Sequence, residues 1–346
     1  MSASHGAVVV TMAGEADEEE WARFVDGQPD ATGYHSWGWR RVFARAFGHE
    51  SFYLLAKESG RVVGVLPLVF VKSALFGRSL TSMAFVNYGG VLTDSPDAAH
   101  QLVAEARHLA ERLECPHVEL RHLGRRFPEL PCREHKVTML LPLKSGMWEA
   151  LDRKVRNQVR KAQKSELSAE RGGAELLEDF YAVFARNMRD LGTPVYSRAL
   201  FHQVLQEFPS RAAIHVVRRG VQPIAAALTF ETGGRVEVPW ASSIRDFNAL
   251  CPNHLLYWHI IETAVERGCQ LMDFGRSTPN EGTFKFKEQW GAQAVPLHWE
   301  YVLVKGGELP MIAAGNPKYR LMVEAWKRLP LSIASWIGPG IVSGIP

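Results

Sequence analysis

Apolar residues fall along this chain in two rhythms. Short strand-like runs occupy residues 7–12, 52–57 and 61–71, the last two separated by the turn pair Ser59-Gly60. Further runs follow at 117–120, 137–141, 212–218, 223–231, 235–242, 271–274 and 295–304. Between them the apolar spacing lengthens to three and four residues. That predicts helices near 18–25, up to Gly48, and over 96–113, 148–164, 176–191, 199–208 and 254–267. Asn253 is the expected N-cap of the last helix and Gly268 its stop, and a helical turn is expected near 284–290. Strands and helices mixed in this order argue an α/β (α+β) protein, not a bundle or a sandwich.

The loop at 142–146 is the natural boundary. It divides the chain into domains over 1–144 and 145–305, with a tail over 306–346 that packs back on them. Residues 329–346 carry no charge, and Pro330, Gly338, Pro339, Gly340 and Gly344 are expected to interrupt any helix there. This stretch reads as surface packing, with a shallow membrane contact as the alternative.

A length of 346 residues agrees with about two domains. With 46% hydrophobic and 22% charged residues, the chain has enough apolar content to exclude disorder. The net charge of +3 gives no general case for nucleic acid, so any anion-binding surface must be local. Cys115, Cys132, Cys251 and Cys269 form no CxxC or Cys/His ligand spacing and read as reduced thiols, with no metal expected. The first residues lack a basic stretch leading into an apolar core, and the longest internal apolar run, 62–71, contains Pro67. These features predict a cytoplasmic protein, with the inner face of the membrane as the place of any surface contact.

Three stretches carry candidate chemistry. In the helix predicted over 148–164, Trp148, Leu151, Val155, Val159 and Ala162 form one apolar stripe. Arg153, Arg156, Asn157, Arg160 and Lys164 lie opposite, and from Leu151 to Lys164 six basic residues face one acid. Solvated faces usually mix signs, so this cationic one is read either as solvated or as binding phosphate of a carrier or RNA. In the run Val238-Pro239-Trp240-Ala241-Ser242-Ser243 a proline inside a strand marks an edge, a bulge or a parting of strands. Parted strands leave backbone groups able to hold an extended acyl or peptidyl group. In the third stretch, Asp273-Phe274-Gly275-Arg276-Ser277 precedes Gly282 to Gly291, which includes Phe286-Lys287. Arg276 is placed to fix a carboxylate or phosphate, and Lys287 to stabilise an oxyanion. Phosphate-loop, GxGxxG, HExxH and GxSxG motifs are all absent from the sequence.

At these residues the chain resembles FemABX-type transferases. The run Lys154-Val-Arg156-Asn157-Gln-Val-Arg160-Lys161-Ala162-Gln-Lys164 resembles their basic helix, and the stretch from Gly282 to Gly291 resembles their FK-containing motif. Asn187 to Tyr196, Val238 to Ser243 and Asp273 to Ser277 look like the FemAB-like branch associated with exosortase/PEP-CTERM and exopolysaccharide systems. The resemblance implies two GNAT-like domains in tandem and transfer of an acyl or aminoacyl group onto a cell-envelope precursor, in peptidoglycan or exopolysaccharide. It implies no permanently bound cofactor, with aminoacyl-tRNA or acyl-CoA as co-substrate. Neither the long helical hairpin of some members nor an RxxGxG/A loop is present, the stretch 244–252 having only Arg245 and no glycine, so the donor stays open. Lys287 and Arg276 are the implied catalytic residues. Arg156, Asn157, Arg160, Tyr196, Trp240, Ser242, Asn253 and Ser277 are the implied substrate contacts, and Asp273 or Glu237 is a candidate proton acceptor. The implied partners are the envelope precursor and tRNA, not DNA. The alternative is a non-catalytic substrate-binding subunit of the same kind of system.

Overall fold

The computed structural model of the chain describes residues 6–73, 76–304, 306, 309 and 317–345. It divides into two units. The first is Met1–His135 with Pro296–Pro310 and Ser343–Pro346, and the second is Lys136–Val295 with Met311–Val342. The expected division at 142–146 followed the loop punctuation of the sequence. The structure divides inside a strand instead, and residues 298–303, expected in the C-terminal domain, pair with residues 117–122 of the first unit.

In the first unit the strands are β1 (Val8–Met12), β2 (Glu50–Glu58), β3 (Arg61–Ser73), β4 (Gly77–Thr81), β5 (Leu92–Thr93) and β6 (His117–His122), joined by the end of β13 (Gln293–Leu303). Their order is β1-β2-β3-β4-β6-β13, with β5 on β3. One face packs on α3 (Pro96–Arg112), whose start is fixed by Ser95 Oγ accepting from Ala98 N at 3.2 Å and by Pro96. Ala98, Leu102, Ala106 and Leu109 of that helix are buried against Leu54, Leu66 and Val118. The other face carries α1 (Glu18–Asp26) and α2 (Trp39–Phe47), where Trp21 stacks on Tyr53 at 4.8 Å.

Parallel β4 and β6 pair only at Leu80↔Val118 and Thr81↔Glu119. Beyond them the buried loop 82–91 continues along β6 in the same direction. Ser82 N donates to Glu119 O at 2.8 Å, Gly89 N to Arg121 O at 3.2 Å, and Val91 N to His122 Nε2 at 2.9 Å. Below the loop, Arg121 donates to Glu119 at 2.6 Å and to Val86 O at 2.8 Å, and His122 Nδ1 lies 2.7 Å from Glu300. Glu300 is fully buried and also accepts from Phe127 N at 2.6 Å.

The second unit contains β7 (Cys132–Pro142) from Lys136 onward, β8 (Leu167–Gly172), β9 (Ala212–Arg219), β10 (Gln222–Thr232), β11 (Arg235–Ser243) and β12 (Leu271–Ser277), in the order β7-β12-β11-β10-β9-β8. The short α4 (Met147–Ala150), α5 (Arg153–Lys164) and α8 (Pro252–Glu266) build one core with Val236, Val238 and Met272. On β11 Trp240 meets Phe201 of α7 (Arg198–Glu207) edge-on at 5.3 Å, and Phe201 in turn meets Phe180 and Phe184 of α6 (Leu177–Leu191).

Three local expectations change. The helix expected over 148–164 breaks at Leu151, because Asp152 Oδ1 accepts from Lys154 N at 2.6 Å and starts α5 afresh. The cap of α8 is Cys251, in a left-handed conformation at φ 60°, and Asn253 stands inside the first turn. The uncharged tail, where no helix was expected, forms α11 (Leu331–Val342) with Pro339 inside it. Proline removes one helical donor but does not outweigh tertiary packing. Gly338 lies so close to Val195 that a Cβ there would stand 2.9 Å from Val195 N. With α10 (Pro317–Lys327), α11 packs on α6. Among the described residues no helix is long and apolar enough to cross a membrane.

Candidate active site

The second unit's sheet opens beside its last parallel ladder. β11 and β12 pair at Arg235↔Leu271, Val236↔Met272 and Glu237↔Asp273, and the pairing ends there. Both strands are irregular at that point. On β11 the register against β10 shifts between Glu237 and Trp240, so Val238-Pro239 supplies an extra residue. On β12 the register against β7 shifts between Asp273 and Arg276. Gly275 makes the second bulge with φ 75°, a conformation that costs glycine little. Pro239 thus stands two residues beyond the last paired position, where its missing N–H leaves no ladder bond unmade.

Lys287 reaches this opening from α9 (Gly282–Glu288). Its Nζ donates to Gly275 O at 2.8 Å and Arg276 O at 3.0 Å, committing two of its three N–H donors. Burial brings its pKa down to about 8, and the charge of Arg276 acts the same way against the opposing pull of Asp273 and Glu237. Asp273 is fully buried, and its Oδ1 accepts from Thr138 Oγ1 at 2.5 Å and Gly275 N at 2.8 Å, so this carboxylate pins the bulge. Arg276 is exposed. Close to it lies Lys136, whose pKa is lowered by burial and by Arg276, and whose Nζ donates to Thr278 Oγ1 at 2.5 Å. Three cations therefore surround the end of β12. Sequence reasoning missed Lys136, whose only signal was a lysine leading into a run that reads as a strand. Ser277 is buried, and its Oγ has no partner among the described residues.

The other candidates fall into separate groups. Tyr196 meets Trp240 edge-on at 6.4 Å, and Ser242 Oγ accepts from Asn187 Nδ2 at 3.0 Å, a contact that places α6 beside β11. Asn253 Nδ2 donates to Ser243 Oγ at 2.9 Å, tying the start of α8 to the end of β11. On α5, Asn157 is exposed and Arg160 lies over the Trp148 ring at 5.3 Å, while the buried Nε of Arg156 has no partner among the described residues. The basic helix meets the start of α8 through Cys251 Sγ, 2.7 Å from Gln158 Oε1. His254, in the first turn of α8 against Phe286, has its pKa lowered to about 4 by burial and by Lys154, so it is neutral near pH 7.

Parted strands, a buried lysine beside the parting and a helix start next to it are a recognisable arrangement. Residues 151–288 match the sequence profile described as an acetyltransferase (GNAT) domain. Over the chain, the solved structure of FemX is similar with a TM-score of 0.67 at 15% identity, covering 91% of this chain and 100% of that one. A tandem GNAT protein from the clavulanic acid biosynthesis pathway is similar with a TM-score of 0.58 at 11% identity, covering 87% and 100%. The chain has the tandem GNAT fold. L-PGS from Bacillus licheniformis is also similar, with a TM-score of 0.55 at 11% identity over 92% of this chain and 98% of that one. At these identities the likeness is one of fold. No curated protein matches the sequence. The GNAT profile covers β11, β12 and α9, so the parting at Glu237↔Asp273 and Lys287 both fall within it.

Proposed function

We propose that this chain is an acyltransferase that moves an aminoacyl or acyl group onto an amine or hydroxyl of a cell-envelope precursor. The observation that carries the reading is the buried Lys287 ammonium at the mouth of parted β11 and β12. An acyl carbonyl lying in that gap can take hydrogen bonds from unpaired strand N–H groups. When the acceptor's nitrogen or oxygen attacks the carbonyl carbon, its π electrons move to the oxygen, and a fixed cation lowers the energy of that oxyanion. Collapse re-forms the C=O bond and expels the donor's hydroxyl or thiol, with the acceptor's proton passing to the leaving group or to solvent. Lys287 is the candidate cation. Arg276 and Lys136 would hold an anionic part of donor or acceptor, and Ser277 Oγ would supply a hydrogen bond now unmade. Trp240 and Tyr196 would line the acyl site, and Arg156, Asn157 and Arg160 would meet phosphate on the donor side.

Envelope precursors as acceptors, and both aminoacyl-tRNA and acyl-CoA as donors, follow from the FemABX resemblance. The tandem GNAT and L-PGS likenesses favour neither donor. The deciding experiment incubates the purified chain with labelled aminoacyl-tRNA, then with acyl-CoAs, alongside candidate envelope acceptors. Labelled acceptor identifies the donor. Acceptor binding with no turnover under either donor would replace this reading by that of a binding subunit.

A further inference from the structure

We propose that Cys132, Glu134 and His298 form a zinc site in the first unit. Cys132 and Glu134 are two residues apart on β7, so their side chains leave the same face of the strand, and His298 lies on β13. His298 Nδ1 is 3.9 Å from Cys132 Sγ and 3.2 Å from Glu134 Oε1, and the three ligand atoms all lie within 4.8 Å of one another. A tetrahedral zinc ion with ordinary bond lengths holds sulfur and nitrogen about 3.6 Å apart, and nitrogen and oxygen about 3.4 Å apart. The observed separations need changes of only a few tenths of an ångström to meet both values.

The donor set selects the metal. A thiolate with an imidazole suits zinc, whereas magnesium and calcium take oxygen ligands. Three protein ligands leave a fourth position for water or an added ligand, and solvent reaches the site, since the Glu134 side chain is 48% exposed and that of His298 15%. A divalent ion would take the thiol proton's place on Cys132, releasing that proton to solvent. Cysteine spacing gives no hint of such a site, because His298 lies 166 residues from Cys132.

The test uses the untagged full chain, stripped with chelator and titrated with Zn2+ by calorimetry and with Co2+ by absorption. The expected result is one ion per chain, a thiolate-to-cobalt charge-transfer band, and a melting temperature raised by zinc. Cys132→Ser should abolish the band, and His298→Gln should weaken zinc binding by about a hundredfold or more. Glu134→Gln, at an exposed side chain, should keep the band while weakening binding, so the proposal stays testable if either of the other variants fails to fold. The buried Cys269→Ser should change nothing. Failure of the chain to bind zinc more tightly than about millimolar would overturn the site, as would binding unaltered in Cys132→Ser. Either result would leave His298 and Glu134 as an ordinary polar contact.

Discussion

Lys287 Nζ donates to the carbonyl oxygen of Gly275 at 2.8 Å, and Gly275 is the residue whose left-handed backbone makes the bulge in β12. The cation and the distortion of the strand are therefore one device. Replacing Lys287 by Met should lower turnover on the order of a hundredfold or more, the usual cost of losing one oxyanion partner. The melting temperature should move little, because two lost hydrogen bonds are offset by relief of a buried charge. Steady-state kinetics with thermal unfolding separates this result from a merely structural role, in which stability falls and turnover follows it.

The pH dependence has a definite sign. With a folded pKa of about 8, Lys287 loses its charge well below the usual lysine range. If the ammonium stabilises the oxyanion, kcat falls as pH rises through about 8, and Lys287→Arg moves that limb upward. A kcat that rises through the same range would make Lys287 a base. For stability the sign reverses. Between about 8 and the unfolded value of 10.5 the unfolded chain binds the extra proton, so Lys287 contributes rising stability with pH across that window.

On α5, changing Arg156 and Arg160 together to Gln should weaken donor binding most at low ionic strength and leave the fold intact. Arg160 is exposed, and Arg156 is half-buried at the flank of the stripe Val155, Val159 and Ala162. Binding measured from low to physiological salt checks this. Affinity unchanged throughout would return the helix to a solvated face.

In the first unit, Glu300→Ala should destabilise by about 1–3 kcal/mol for each buried donor it orphans, because it leaves the His122 Nδ1–H and the Phe127 N–H without their acceptor. Burial raises the Glu300 pKa, but the hydrogen bond and charge of His122, with backbone donors, more than reverse this and leave it lowered. A lowered carboxylate contributes stability that is present above its unfolded pKa and lost as pH falls through the folded one. Acid unfolding of the parent and Glu300→Ala should therefore converge at low pH. Curves that stay parallel down to the acid limit would assign the loss to packing instead.

Much of this was legible in the sequence because it is local. The stripe Val155, Val159, Ala162 gives α5, and Pro239 inside an apolar run announces the end of regular pairing two residues earlier. What the sequence hides is set by distant partners. Lys136 meets Thr278 across 142 residues, and His122 meets Glu300 across 178. Neither pair has a spacing rule, since strand neighbours bring them together. Pro339 misled for the same reason: its local cost is real, but packing on α6 decides.

The loop 82–91 gives the first unit a permanent tenant. Where β4 and β6 separate, the chain itself occupies the space, with Gly89 and Val91 hydrogen-bonded to Arg121 and His122. An engineer seeking a second receptor on this scaffold would thus begin by deleting backbone, not by redesigning side chains. Evicting the loop would strip Arg121 of its Val86 acceptor and leave its guanidinium leaning on Glu119 and the Trp299 ring, 4.5 Å away, an exposed, charge-bearing hollow in place of a solid one.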